Sequence, residues 1–227
     1  MTATIVNAIA VLLGTALGLL LKKSISPSFR TIVMTSSGAI TLILGIQMAL
    51  TMGSAIAVLF SLLIGGFIGY ALRIEDRVLA LGQKIGGKGA DGDFGKGFLN
   101  ASLLFCTGSM SIVGSIEAGT TGDWELILVK SIMDGFMAIV FAASYGRGVA
   151  ASALTVLVYQ GFFTLLGGWI GPILGDAGIT AMSATGGVLL VFLALGLLGI
   201  KQIETGNFLP ALVLAPVMQY LYSLLPI

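Results

Sequence analysis

One lysine and one aspartate, Lys130 and Asp134, stand four residues apart in LILVKSIMDGF, a stretch otherwise made of apolar and small residues. On a helix this spacing puts both on one face, where ammonium and carboxylate can neutralise each other. Neither lies near a chain break or a polar run. If the stretch crosses a bilayer, Asp134 sits near its midplane, where a charge costs at least about 2.5 to 3.5 kcal/mol on insertion scales. Charges kept at that depth usually face a protein interior or a water-filled path, and mark a binding site or pathway. The plainer alternative is a buried pair that locks one helix to its neighbours. Ser131, between the two charges, joins them as a candidate ligand.

Hydroxyl groups form the second set. FCTGSMSIVGS offers Thr107, Ser109, Ser111 and Ser115 in one apolar segment. Ser37-Gly38 and Thr185-Gly186 repeat the hydroxyl-glycine step of Thr107-Gly108 elsewhere in the chain. Gly108 and Gly38 are positions at which a helix can be interrupted, exposing backbone groups that coordinate an ion or small anion. Ser and Thr also bond back to their own helix, so any single hydroxyl is more readily structural than a ligand. Gln160 and Asn207 add neutral donors and acceptors. Pro210 and Pro216 are expected to kink the last apolar segment.

Composition restricts the chemistry further. The chain has 227 residues, 57% hydrophobic and 9% charged, with one cysteine, Cys106, and no histidine. That removes disulfides, cysteine-rich or imidazole metal sites, and Ser-His nucleophiles. No nucleophile-base pair or catalytic carboxylate pair can be assembled, so the chain reads as no enzyme, with no cofactor and no metal. A net charge of +1 argues against nucleic acid as a partner.

These residues must be carried by helices in lipid. A bilayer core needs roughly 20 apolar residues per helix. Eight such spans fit, near 3–21, 31–50, 54–72, 98–117, 124–145, 148–170, 178–199 and 206–226. Lys22, Lys23, Arg30, Arg73, Arg77, Lys84, Lys88, Lys96, Arg147 and Lys201 then all fall in loops on one side, which predicts both termini outside. Trp124 and Trp169 become outer-interface anchors. The first apolar stretch lacks a basic leader and is followed by Lys22 and Lys23, so it reads as a retained span, not a cleaved signal. In the long loop 73–97, Ile74, Val78, Leu81 and Ile85 have the spacing of an amphipathic surface helix. The G-x-G-x-x-G at Gly87, Gly89 and Gly92 follows no strand and reads as linker. Asp91 and Asp93 begin like a calcium loop, but Gly95 and Lys96 replace what should follow.

The fold expected is a single all-α polytopic membrane domain with internal repeats. LGTALGLLL at 13–21, IGGFIGYAL at 64–72 and LGGWIGPIL at 166–174 share a small-xxx-small pair: Gly14 and Gly18, Gly65 and Gly69, Gly167 and Gly171. TGDWELILVKSIM at 121–133 also resembles TGNFLPALVLAPVM at 205–218. Spans 3–5 and 6–8 would form inverted three-helix repeats, in units 54–146 and 148–227, with a partial copy in 1–50. Such glycine pairs also serve close helix packing, within the chain or between copies in a homo-oligomer.

FCTGSMSIVGS, VKSIMDG at 129–135, VLVYQG at 156–161 and NFLPAL at 207–212 together resemble a bacterial family of uncharacterised inner-membrane proteins, domain of unknown function 554. The resemblance covers nearly the whole chain and implies the bacterial cytoplasmic membrane, without a substrate. A looser architectural likeness is to small exporters of paired three-helix units such as the lysine exporter superfamily. The expectation is a small secondary transporter of an ion or solute, cation- or proton-coupled at Asp134. A non-transporting scaffold and a channel are the alternatives.

Overall fold

The computed structural model describes residues 1–22, 27–86, 93–106 and 109–224. Thr107, Gly108, the Gly-rich stretch 87–92 and the side chains of Ser37 and Ser109 lie outside the described residues. Helix is the only regular structure among those that are described. In order come α1 (Thr2–Lys22), α2 (Pro27–Ala49), α3 (Ala55–Leu72), α4 (Ile74–Gly86), α5 (Phe94–Cys106), α6 (Ser109–Thr120), α7 (Glu125–Tyr145), α8 (Gly148–Leu197), a 3-10 turn at Thr205–Phe208, and α9 (Leu209–Ser223).

Thr2–Leu21, Ala55–Leu72, Glu125–Tyr145 and Gly148–Leu197 are long and apolar enough to cross a bilayer. The pair Phe94–Cys106 and Met110–Thr120, bent by 62°, makes a fifth if counted as one span. The outer surface suits a protein solvated by hydrocarbon: Phe67, Trp169, Ile173 and Val213 are each more than 70% exposed, and water-soluble monomers rarely expose broad apolar surface. Helices suit this solvent because each satisfies its own backbone N–H and C=O groups.

The 50-residue α8 is interrupted at Gly175, whose φ of 58° and ψ of 174° are not helical and belong to a region essentially restricted to glycine. As a straight rod α8 would be about 75 Å long. Instead Val149 and Leu197 share one buried cluster, and Phe163 and Ala181 share another, so the two halves, 148–174 and 176–197, lie antiparallel. The expected loop between spans 6 and 7 is thus a turn hinged on one residue.

Several expectations are corrected. Gly38 does not interrupt α2, which runs unbroken; the residue is buried against Leu197 and Leu198. Pro210 sits at the start of α9 and kinks nothing, because a missing N–H is harmless in a first turn. Pro216 does lie inside α9. The helix expected at 74–85 forms as α4, but Gly82 rests on Phe98 and Leu79 meets Gly95 of α5, leaving Leu81 and Ile85 exposed.

All three glycine pairs are packing faces inside the chain. Gly14 and Gly18 face Gly135, Ala138, Ile139 and Ala142 of α7; Gly65 and Gly69 face Ala211 and Asn207; Gly167 and Gly171 face Ile116 of α6. These faces are therefore not open to a second copy. The pair on α3 meets α9 and the pair on the first half of α8 meets α6; in each case the small residues allow close helix approach.

Candidate functional site

The site grows out of the contact between α1 and α7. The two helices run parallel: Ala10 meets Gly135, Gly14 meets Gly135 and Ala138, and Gly18 meets Ile139 and Ala142. A side chain at Gly14 or Gly18 would collide with an α7 carbonyl oxygen, so the two glycines permit this closeness. Asn7, Val11, Gly14 and Gly18 recur on one side of α1 at helical spacing. The same approach carries Asn7 to Asp134, where its Nδ2 donates to Oδ2 at 2.9 Å.

Lys130 and Asp134 form the ion pair that their spacing predicts, the ammonium donating to that same Oδ2. Both donors engage one carboxylate oxygen, and neither engages Oδ1. Lys130 and Asp134 are 6% exposed and Asn7 is fully buried. Asp134 is the tenth residue of the 21-residue α7, about 14 Å along the axis from Glu125 and so close to half of a bilayer core. Burial of charge at this depth is tolerable because the two charges cancel and Asn7 adds a further donor. Asn7 Oδ1 is itself buried with no hydrogen-bond partner among the described residues.

A cavity of about 180 Å³ adjoins the pair. Its lining comes from several helices: Leu44 and Met48 of α2, Leu104 of α5, Met110 of α6, Lys130, Met133, Asp134 and Met137 of α7, and Leu190 of the second half of α8. Four of these nine residues are methionines, whose unbranched thioethers adapt to varied shapes. Among the described residues the cavity is thus apolar except for one dipolar wall.

The other described sequence candidates separate from this site. Ser131 donates to the Ile127 carbonyl of its own helix at 2.6 Å, a structural role. Ser111 donates to the Phe105 carbonyl at 2.7 Å, satisfying a backbone group where α5 ends. Ser115, Thr185 and Gln160 are buried with no side-chain partner among the described residues, and none of them lines the cavity.

Asn207 belongs to a second cluster, near the start of α4. Its Oδ1 accepts from the Glu75 N–H at 3.0 Å and its Nδ2 donates to Glu204 at 2.8 Å, while Glu75 Oε2 accepts from the Gly206 N–H at 2.7 Å. This ties α4 to the turn that begins α9. Burial raises the Glu75 carboxyl above its ordinary value of 4.5; the Gly206 N–H opposes this, and the Glu204 and Asp76 charges add to it.

Asn7 and the methionines were not evident beforehand. Asn7 is the sole amide in the first apolar stretch, a signal of the same kind as Asp134, but a neutral side chain near a span end draws no attention. The methionines are scattered in sequence and converge only in the packed bundle.

Comparison with known proteins follows the same lines. The model of the family described as "Protein of unknown function (DUF554)" matches residues 2–220. The chain is 34% identical over 223 residues to the "Uncharacterized membrane protein YdfK" of Bacillus subtilis (strain 168), covering 96% of this chain and 95% of the relative. It is 31% identical over 217 residues to the "Uncharacterized protein YqgA" of Escherichia coli (strain K12), covering 92% of each. No solved structure matches. A match of this extent, joined to relatives aligned end to end and to a surface built for lipid, makes the chain a membrane protein that belongs to the DUF554 family.

Proposed function

We propose that this chain is a small secondary transporter of the bacterial cytoplasmic membrane, crossing it eight times with both termini outside. The observation that carries the proposal is the Lys130–Asp134 pair, held with Asn7 at mid-depth in α7 and bordering a cavity. A pair that served only to lock helices would be expected to be packed on all sides, whereas this one retains a space into which a solute fits.

Helix directions support the span count. α1 is parallel to α7, and α5 is parallel to the first half of α8, since Gly97 meets Gly148 and Ser102 bonds Thr155. α3 is antiparallel to α9, and α2 is antiparallel to the second half of α8, since Gly38 meets Leu198 and Gly187 meets Ala49. These are the relations that eight alternating spans require when α8 counts as two. An oligomerising scaffold is less well supported, because the glycine faces that would serve it are occupied within the chain.

The test is uptake and efflux in proteoliposomes, with Asp134→Asn and Lys130→Ala beside the unaltered protein. Once a solute is found that the protein moves, each variant is expected to lower its flux at least tenfold. Unchanged flux in both variants would defeat the assignment of the site.

A further inference from the structure

We infer that the cavity beside Lys130 and Asp134 binds a small zwitterion with an apolar side chain, of the neutral amino-acid type; the inference rests on the site assignment made above. Charge balance at depth selects the ligand. The wall of the cavity carries one positive and one negative group, already neutral together. An incoming monocation or monoanion would leave the site with a net charge in a low-dielectric interior, which is strongly disfavoured. A zwitterion adds no net charge and can meet both groups.

The unused bonding capacity fits such a ligand. Asn7 and Lys130 both engage Oδ2 of Asp134, so Oδ1 is available to accept from a ligand ammonium. Lys130 has three N–H donors and gives one to Asp134, which leaves donors for a ligand carboxylate. The existing ion pair need not break. The rest of the lining, including Met48, Met110, Met133 and Met137, supplies an apolar and adaptable seat for a side chain. The volume, about 180 Å³, exceeds the roughly 150 Å³ that suffices for a benzene ring. At the same ratio it encloses about seven non-hydrogen atoms, near the size of a small neutral amino acid.

The experiment is binding to the full-length protein in lipid nanodiscs, by equilibrium dialysis with radiolabelled L-leucine and by ligand-induced shift of the unfolding temperature. The competitors are leucinamide, which lacks the carboxylate, 4-methylpentanoate, which lacks the ammonium, and glycine, which lacks the side chain. Leucine is expected to bind about 100-fold more tightly than each of the three. Met133→Trp fills the cavity from a residue that is 45% exposed; it should weaken leucine binding at least tenfold while the unliganded unfolding temperature stays within a few degrees. Equal binding of leucinamide or 4-methylpentanoate, absence of binding by all four probes, or full leucine binding by the tryptophan variant would overturn the inference. If another solute is moved in an Asp134-dependent way while leucine shows no preference, the zwitterion inference fails and the transport reading stands. If leucine binds as expected but is not moved across proteoliposomes, binding stands and transport fails.

Discussion

Replacing Asp134 with asparagine leaves Lys130, the sixth residue of the 21-residue α7 and 6% exposed, a cation without its counter-charge. Asparagine keeps an oxygen that can accept from Asn7, so the change removes charge and little else. Breaking a buried pair from one side typically costs about 3 to 5 kcal/mol, and a stranded charge at mid-bilayer costs about 2.5 to 3.5 kcal/mol on insertion scales. A loss of about 3 kcal/mol is therefore expected for Asp134→Asn, and a similar loss for Lys130→Met. The double variant holds no charge to strand and should lie within about 1 kcal/mol of the unaltered protein, since neutral replacement of a buried pair is often nearly neutral in stability. The cycle then gives a coupling of about 5 kcal/mol or more. Equilibrium unfolding in mixed micelles at rising SDS fraction, followed by the fluorescence of Trp124 and Trp169, measures all four corners. Were water in free contact with the pair, the attraction at about 4 Å would fall to about 1 kcal/mol. Single-variant losses below that value, or a double variant as unstable as both losses together, would refute the picture of a desolvated pair.

Three further outcomes are expected. Gly14→Val drives a side chain into the Gly135 carbonyl and should lower stability by about 1 to 3 kcal/mol; by separating α1 from α7 it should also lower ligand affinity, whereas Gly53→Val, whose nearest neighbour is the end of Gln219 at 3.9 Å, should do neither. Glu75 holds its proton more tightly folded than unfolded, so its contribution to stability is present below pH 4.5 and is lost as pH rises through the raised value. Glu75→Gln keeps an acceptor for the Gly206 N–H; its unfolding temperature should match that of the unaltered protein near pH 4 and exceed it at pH 7, and equal pH slopes for the two would contradict this. In a Cys106→Ser background, single cysteines at Asp123 and Asp176 should react with a membrane-impermeant maleimide from outside intact cells, and one at Lys201 should not; the reverse pattern would overturn the eight-span orientation.

Length and hydrophobicity are local properties, so the helical, lipid-solvated character of the chain was legible residue by residue. So was the Lys130–Asp134 pair, because both partners lie on one helix and a spacing of four suffices to join them. The glycine pairs were legible as close-packing positions, but their partners were not, since small-xxx-small spacing says how near a helix can come and not which helix comes. Asn207 is legible as a polar residue at the start of the last apolar segment, but its partners are not; its bonds to Glu75 and Glu204 join segments 132 residues apart and near neighbours alike. Gly175 was an unremarked residue in a loop, although its backbone angles turn a 50-residue helix back on itself.

The amino-acid pattern was sufficient to specify the solvent, the helices and one buried pair of charges, because each follows from side-chain chemistry summed over a few turns. Asn7 as the third member of that pair, and the cavity whose walls come from α2, α5, α6, α7 and α8, required the packed bundle. Space between helices is a property of how their surfaces fail to fill one another, and no one segment contains it.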